Sequence, residues 1–201
     1  MSRSCSGIDG YGFAWLLVAG VAVPAFLLEH CFVPFTPLAV ANGFLERHAH
    51  PRGIEHMKLQ KLVYFTHGWW LAINPSSLLT ERPQVWRHGP VFKTLYHTLK
   101  DFGHHPIPHP QLAYPTADLE MIGDNNLVPS YVDFVWDRYG HLTGFALSSM
   151  THQAGTAWNR LASEYDFQVP AELEIPDEYI REEFKKIYDE EYSRSGEARA
   201  T

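Results

Sequence analysis

Apolar side chains recur at helical spacing along most of the chain. Between residues 55 and 73, Leu59, Leu62, Val63 and Trp70 follow a period near 3.6, and further apolar residues fill a second face. A helix that is apolar on nearly all sides lies in the middle of a bundle. The sequence therefore predicts a central helix over residues 55–73, packed against other helices on several sides.

Start and stop signals predict the remaining elements. Thr36 suits an N-cap and is followed by a proline, and Thr143 suits a second N-cap. Because proline is favoured in the first helical turn, the third helix is predicted to open at Pro90. The predicted helices cover residues 37–50, 55–73, 90–102, 127–139, 142–150 and 176–192, with a short helix or turn at 152–161 and extended pieces at 78–80 and 84–86.

Composition and charge narrow the class of protein. The chain has 201 residues, 45% of them hydrophobic, which is enough for a globular core. The net charge of −7 argues against a surface built to bind nucleic acid, and nine acidic against three basic residues lie between Glu172 and Glu191. The expected fold is mainly α, a compact helical bundle with at most a few short β-strands and an acidic C-terminal helix.

The N-terminal segment allows three interpretations. Residues 11–28 form an uncharged apolar run near the lower limit for crossing a bilayer, so the segment suits a membrane anchor or a signal peptide. Val33 also suits an alternative start, with residues 1–32 an over-long gene prediction. The domain is predicted over residues 33–192, followed by a flexible tail at 193–201, and Cys5 and Cys31 lie outside it.

Candidate chemistry is sparse. His104, His105 and His109 form the densest histidine cluster, which suggests a remote possibility of a metal-dependent hydrolase, but no zinc-binding spacing is present. His152 beside Ser148 lacks the elbow motif of a serine hydrolase, and bridging of helix ends through both ring nitrogens is the better interpretation. No phosphate-binding loop occurs, so no cofactor, metal or catalytic residue is assigned.

A few basic and aromatic residues suggest a surface for a partner. Lys58 and Lys61 are three apart and share one helix face, which more commonly is a solvated face than a rim for a partner. Tyrosine and tryptophan often anchor interfaces, although most are core residues. The predicted partner-binding residues are Lys58, Lys61, Trp86, Arg87 and Lys93.

Several sequence blocks together resemble the Panacea antitoxin domain, the SocA-like, phage-associated group of small bacterial proteins. The resemblance extends over residues 37–187, about three quarters of the chain, and departs from the family pattern at Ala157, where a proline is usual. The matching blocks are PLAVAN at 37–42, MKLQKLVYFTHGW at 57–69, WRHGPV at 86–91, LY at 95–96, THQ at 151–153 with Trp158, and IP at 175–176 with Ile180 and Phe184.

The resemblance implies a helical, non-enzymatic, cytoplasmic protein. Members of the family neutralise a toxin encoded by an adjacent gene by binding it directly, and some act instead as adaptors that deliver the toxin to an ATP-dependent protease. The resemblance supplies no catalytic residues and does not name the toxin. Contact with a membrane through residues 11–28 stays open on this basis.

Overall fold

The computed structural model of the protein describes residues 15–18, 21–24, 32–124 and 126–197. The chain divides into two compact units, residues 1–33 and residues 34–201. In the first unit, β1 (Trp15–Val18) and β2 (Val21–Pro24) form an antiparallel pair. The second unit contains the remaining elements: α1 (Pro37–His48), α2 (His56–Ile73), β3 (Gln84–Trp86), β4 (Gly89–Val91), α3 (Lys93–Leu99), α4 (Val128–Tyr139), α5 (Gly144–Thr151), α6 (Ala157–Glu164) and α7 (Asp177–Glu197).

The segment at residues 11–28, for which a membrane anchor is one of three interpretations, contains two short strands among its described residues. Residues 15–18 and 21–24 pair as β1 and β2, and the rest of residues 11–28 lies outside the described residues. Within the described ranges, no helix is long and apolar enough to cross a bilayer. The described part of this segment therefore forms strands and not a helical anchor.

Helix α2 occupies the centre of the second unit, as its all-round hydrophobicity predicts. Helices α1, α4, α5 and α7 all pack against it. Its buried residues include polar ones as well as apolar ones, namely His56, Gln60, Lys61, Thr66 and His67. The mainly α fold is thereby confirmed, and the centre of the bundle contains more polar groups than a hydrophobic period alone suggests.

Threonine hydroxyls begin three of the helices. Thr36, Thr143 and Thr156 each have an extended backbone, and each accepts a hydrogen bond from the main-chain N–H three residues later. A side-chain acceptor of this kind satisfies one of the free N–H groups at a helix start. The first two caps are the predicted ones, and Thr156 defines the start of α6 within the predicted 152–161 segment.

The prediction that helix three opens at Pro90 is wrong. Gly89–Val91 forms β4, which pairs with β3 across a two-residue turn at Arg87 and His88, and α3 begins only at Lys93. Proline is compatible with the start of a helix and also with a short strand that needs no N–H at that position. The other edge of β3 lies beside residues 173–175 through a bridge between Gln84 and Glu174.

The last helix is longer than the sequence predicts. Asp177 and Glu178 lie in its first turn, where the helix dipole favours carboxylates. The helix continues to Glu197, past the predicted beginning of the tail at residue 193. Residues 198–201 of the predicted tail lie outside the described residues.

Candidate interaction surface

The β3–β4 hairpin is held to the bundle through its main-chain carbonyl groups. Trp158 Nε1 donates to the carbonyl oxygen of Trp86 at 3.0 Å, and Ser148 Oγ donates to that of His88 at 2.8 Å. His152 Nε2 lies 3.2 Å from the carbonyl oxygen of Arg87. Three successive carbonyls of the turn are therefore contacted by side chains from α5, its C-cap and α6.

Helix α2 holds the other end of the hairpin. Lys61 Nζ donates to the carbonyl oxygen of Pro90 at 2.8 Å. The amide of Gln60 contacts both main-chain groups of Phe92, accepting from its N–H at 3.1 Å and donating to its carbonyl at 3.3 Å. The sequence blocks around residues 57–69, 86–91 and 151–158 therefore converge on this one hairpin.

The arrangement of His152 supports anchoring of the turn and not nucleophilic catalysis. Its Nδ1 lies 2.6 Å from the carbonyl oxygen of Ser148 while its Nε2 faces Arg87. The hydroxyl of Ser148 points to His88 and not to the imidazole. His152 contacts main-chain carbonyls through both ring nitrogens, as predicted, but it joins the end of α5 to the hairpin turn and not two helix ends. Its imidazole is not paired with the Ser148 hydroxyl.

Lys61 lies inside the protein, so its interpretation as part of a solvated face is wrong. Only 1% of the residue is exposed, because the hairpin covers the side of α2 from which it projects. Burial lowers the pKa of its ammonium to about 7. The neighbouring Gly89 has a φ of +93°, and a Cβ there would lie 2.5 Å from Thr151 Oγ1 and 3.1 Å from Lys61 Nζ.

The buried amine makes stability depend on pH. Unfolding returns Lys61 from a pKa of about 7 to its ordinary value of 10.5, so between these limits the unfolded chain binds more protons. The free energy of unfolding is expected to rise with pH in this window, by up to about 1.4 kcal/mol per pH unit. Lys61→Met should flatten that rise in urea titrations run from about pH 7 to about pH 9, below the ordinary tyrosine range.

An exposed lysine provides the matched control for this measurement. Lys100 lies exposed in the short 3-10 turn after α3, and Lys100→Met should leave the slope unchanged. If the Lys61→Met protein keeps the full slope, the titrating group is not Lys61.

Lys58 faces a different neighbour from Lys61. Its Nζ donates to the carbonyl oxygen of Gly140 at 2.5 Å and lies 4.9 Å from the centre of the Trp136 ring. Burial lowers the pKa of this half-buried ammonium, and Glu55 opposes the shift. Lys58 therefore stabilises the C-terminal end of α4, where a cation also complements the helix dipole.

The other predicted partner-binding residues lie on or beside the hairpin. Trp86 is half-buried, with its ring centre 4.8 Å from that of Tyr96. Lys93 pairs with Glu172 next to the start of α3. Arg87 is exposed at the turn. The structure thus groups Lys61, Trp86 and Arg87 at one hairpin, places Lys93 just after it, and separates Lys58 from it.

Two residues that matter to this region were not predicted from the sequence. Glu183 Oε2 on α7 accepts from the Tyr64 hydroxyl at 3.0 Å and from the Ala157 N–H at 2.8 Å, which joins α2, α6 and α7. Asp177 Oδ1 lies 3.3 Å from Nε2 of the buried His67. Burial raises the pKa of the Glu183 carboxyl despite both hydrogen bonds. The helical spacing of Glu183 with Ile180 and Phe184 was the available signal.

The histidine cluster does not form a metal centre in the structure. His104, His105 and His109 are exposed. Among residues 32–124 and 126–197, no group of three or more histidine, cysteine or carboxylate side chains is arranged to hold a metal ion.

Comparisons with known proteins agree with the sequence blocks that meet at the hairpin. The profile of the family described as "Antitoxin SocA-like, Panacea domain" matches residues 59–159. The protein named Antitoxin SocA from Caulobacter vibrioides (strain NA1000 / CB15N) is 25% identical over 152 residues, which covers 73% of this chain and 81% of that protein. No solved structure matches the chain.

Proposed function

The chain belongs to the SocA-like Panacea domain family, and on this premise we propose that it is an antitoxin. It binds a toxin encoded by an adjacent gene and neutralises it directly, acting in the cytoplasm and without catalysis. The family membership supports an antitoxin role in general. The hairpin supports the more specific statement that neutralisation proceeds through a protein–protein contact.

The observation that carries the proposal is the fixed position of the hairpin. The carbonyls of Trp86, Arg87 and His88 are contacted from α5 and α6, and that of Pro90 from α2. A surface that is ordered before binding loses less conformational entropy when a partner docks. These contacts order the turn through its main chain and leave the Arg87 side chain exposed.

The predicted partner-binding residues divide by their position. Arg87 and Trp86 are proposed to contact the toxin, with Lys93 at the edge of the same surface. Lys61 is proposed to support the surface from inside the protein without contacting the toxin. Its buried ammonium donates to the carbonyl of Pro90 and so holds the hairpin in place. Lys58 is proposed only as a distant rim residue, since its ammonium is occupied by the end of α4.

Co-expression tests the function. The product of the adjacent gene is expected to arrest growth when it is expressed alone and to be harmless when this chain is expressed with it. The two proteins should also elute as one complex in size-exclusion chromatography. A neighbour that is toxic but is neither bound nor neutralised by this chain would refute the proposal.

The same strains separate direct neutralisation from delivery to a protease. If binding itself neutralises, toxin levels stay constant and rescue persists in a host that lacks its ATP-dependent proteases. Rescue that disappears in that host, with toxin accumulating, would assign the adaptor function instead.

A further inference from the structure

Two exposed phenylalanines lie near the hairpin, although large apolar side chains are usually buried. Phe145 on α5 is 75% exposed, and Phe167 after α6 is 59% exposed. Neither side chain contributes to the core of the bundle. Exposed aromatic residues that lie together around a polar centre mark interaction sites more often than isolated ones do.

Phe145 lies on the hairpin side of α5. Phe145 and His152 are seven residues apart, which places them on one stripe of the helix and its cap, with Ser148 between them. Ser148 and His152 are the residues that contact the carbonyls of His88 and Arg87. Phe145 therefore lies on the side of α5 from which Ser148 and His152 contact the turn.

Phe167 is connected to the turn through Trp158. Its ring centre is 6.4 Å from that of Trp158, which in turn is 3.9 Å from the imidazole of His152 and donates to the carbonyl of Trp86. The backbone fixes this position, because Phe167 N–H donates to the carbonyl of Ala162 at 2.9 Å.

The backbone at Phe167 adopts an unfavourable conformation. Asp166 and Phe167 have φ values of +50° and +60°, in the left-handed region where residues other than glycine are strained. Strain of this kind persists where the surrounding structure imposes it and is concentrated at functional positions. The strain here positions an aromatic ring beside the hairpin and still exposed to solvent.

Arg87 extends from the turn that these residues hold. The residue is exposed, and within the described part of the chain its side chain forms no ion pair or hydrogen bond. Its main-chain carbonyl is the group that His152 contacts, which fixes the backbone from which the guanidinium extends. A guanidinium is suited to bidentate binding of a carboxylate.

We propose that Phe145, Arg87 and Phe167 form a docking surface for a toxin segment that carries a carboxylate together with apolar side chains. Arg87 binds the carboxylate, and the two rings pack against the apolar side chains and exclude water from the ion pair. This inference rests on the proposed antitoxin function and specifies its partner chemistry. Exclusion of water matters because an exposed ion pair contributes little affinity.

The test measures binding of the purified toxin from the co-expression experiment to the full chain, by isothermal titration calorimetry. Arg87→Glu is expected to raise the dissociation constant about 30-fold or more. Phe145→Ala and Phe167→Ala are each expected to raise it about 5-fold to 10-fold, which are ordinary effects for interface anchors. Arg87→Lys should restore only part of the loss, since it keeps the charge but not the bidentate geometry.

Matched controls change similar residues elsewhere. Arg52→Glu alters an exposed cation, and Leu112→Ala removes an apolar side chain that is 54% exposed. Neither residue belongs to the hairpin, to α5 or to the segment after α6. These variants should bind within about twofold of the unmodified chain, because substitutions outside an interface core have little effect. Thermal unfolding confirms that each variant is folded, which is expected because the altered side chains are exposed.

The possible outcomes separate this inference from the function on which it rests. If the unmodified chain neutralises the toxin and the Arg87→Glu, Phe145→Ala and Phe167→Ala variants bind it normally, the antitoxin function stands and the docking surface is wrong. A toxin variant with one carboxylate changed to lysine that regains binding to the Arg87→Glu protein would establish the ion pair. A concentration-dependent dimer of this chain that Arg87→Glu dissociates would assign the surface to a second copy and overturn the proposal.

Discussion

Gly68→Ala is expected to lower the free energy of unfolding by about 1–3 kcal/mol, although alanine is the better helix former. A Cβ at Gly68 would lie 2.2, 2.3 and 2.5 Å from three ring atoms of Phe184. Phe184 is fully buried, and its ring centre is 5.9 Å from those of Tyr64, Phe65 and Trp69. Since the ring has no open space to enter, overpacking outweighs the helix propensity gained.

Urea denaturation of a double-mutant cycle checks this expectation. In the Phe184→Leu background the smaller side chain leaves room for a methyl group. Gly68→Ala should therefore lower the free energy of unfolding clearly less there than in the unmodified protein. Equal costs in both backgrounds would show that the contact with Phe184 is not the cause. An increase in stability from Gly68→Ala alone would contradict the close packing of α2 against α7.

Glu183→Leu is expected to destabilise the protein by about 2–4 kcal/mol, because it leaves two donors without an acceptor. The Tyr64 hydroxyl is fully buried, and the N–H of Ala157 lies at the start of α6. Glu183→Gln is the matched control, since an amide oxygen can accept from both donors and the side chain has nearly the same volume. We expect Glu183→Gln to stay within about 1 kcal/mol of the unmodified protein.

The measurement is again the free energy of unfolding, with Tyr64→Phe added to form a cycle. The cost of Glu183→Leu should fall when the Tyr64 hydroxyl is absent, because one of the two unsatisfied donors is then removed. If leucine and glutamine prove equally tolerated at residue 183, these hydrogen bonds do not join the three helices in solution.

The fold was largely predictable because its strongest signals are local. Residues 56–73 are apolar on almost every side, and Thr36 and Thr143 mark helix starts by their own side-chain chemistry. The hairpin was not predictable in the same way. Gly89 and Pro90 suit the beginning of a helix as well as a strand, and the contacts that decide between them come from Lys61 and Ser148, distant in sequence.

The candidate site was predictable in part. Trp86 and Arg87, two of the predicted partner-binding residues, lie together at the hairpin. The spacing of Lys58 and Lys61, however, does not tell which of the two is covered. Burial of Lys61 depends on the hairpin packing over α2. Phe145 and Phe167 were missed because an apolar residue in a sequence is assigned to the core by default, and these two are exposed.

Both edges of the β3–β4 ribbon are closed to strand addition. On the β3 side, Val85 N–H donates to the carbonyl of Leu173 at 2.8 Å, and Ile175 N–H donates to that of Pro83 at 2.7 Å. On the β4 side, Pro90 has no N–H and its carbonyl is taken by Lys61. A partner peptide therefore finds no free main-chain ladder to extend, a common route of peptide capture and also of aggregation. If the toxin docks at this hairpin, as proposed, it is bound through side chains, so single substitutions can change partner specificity without altering the fold.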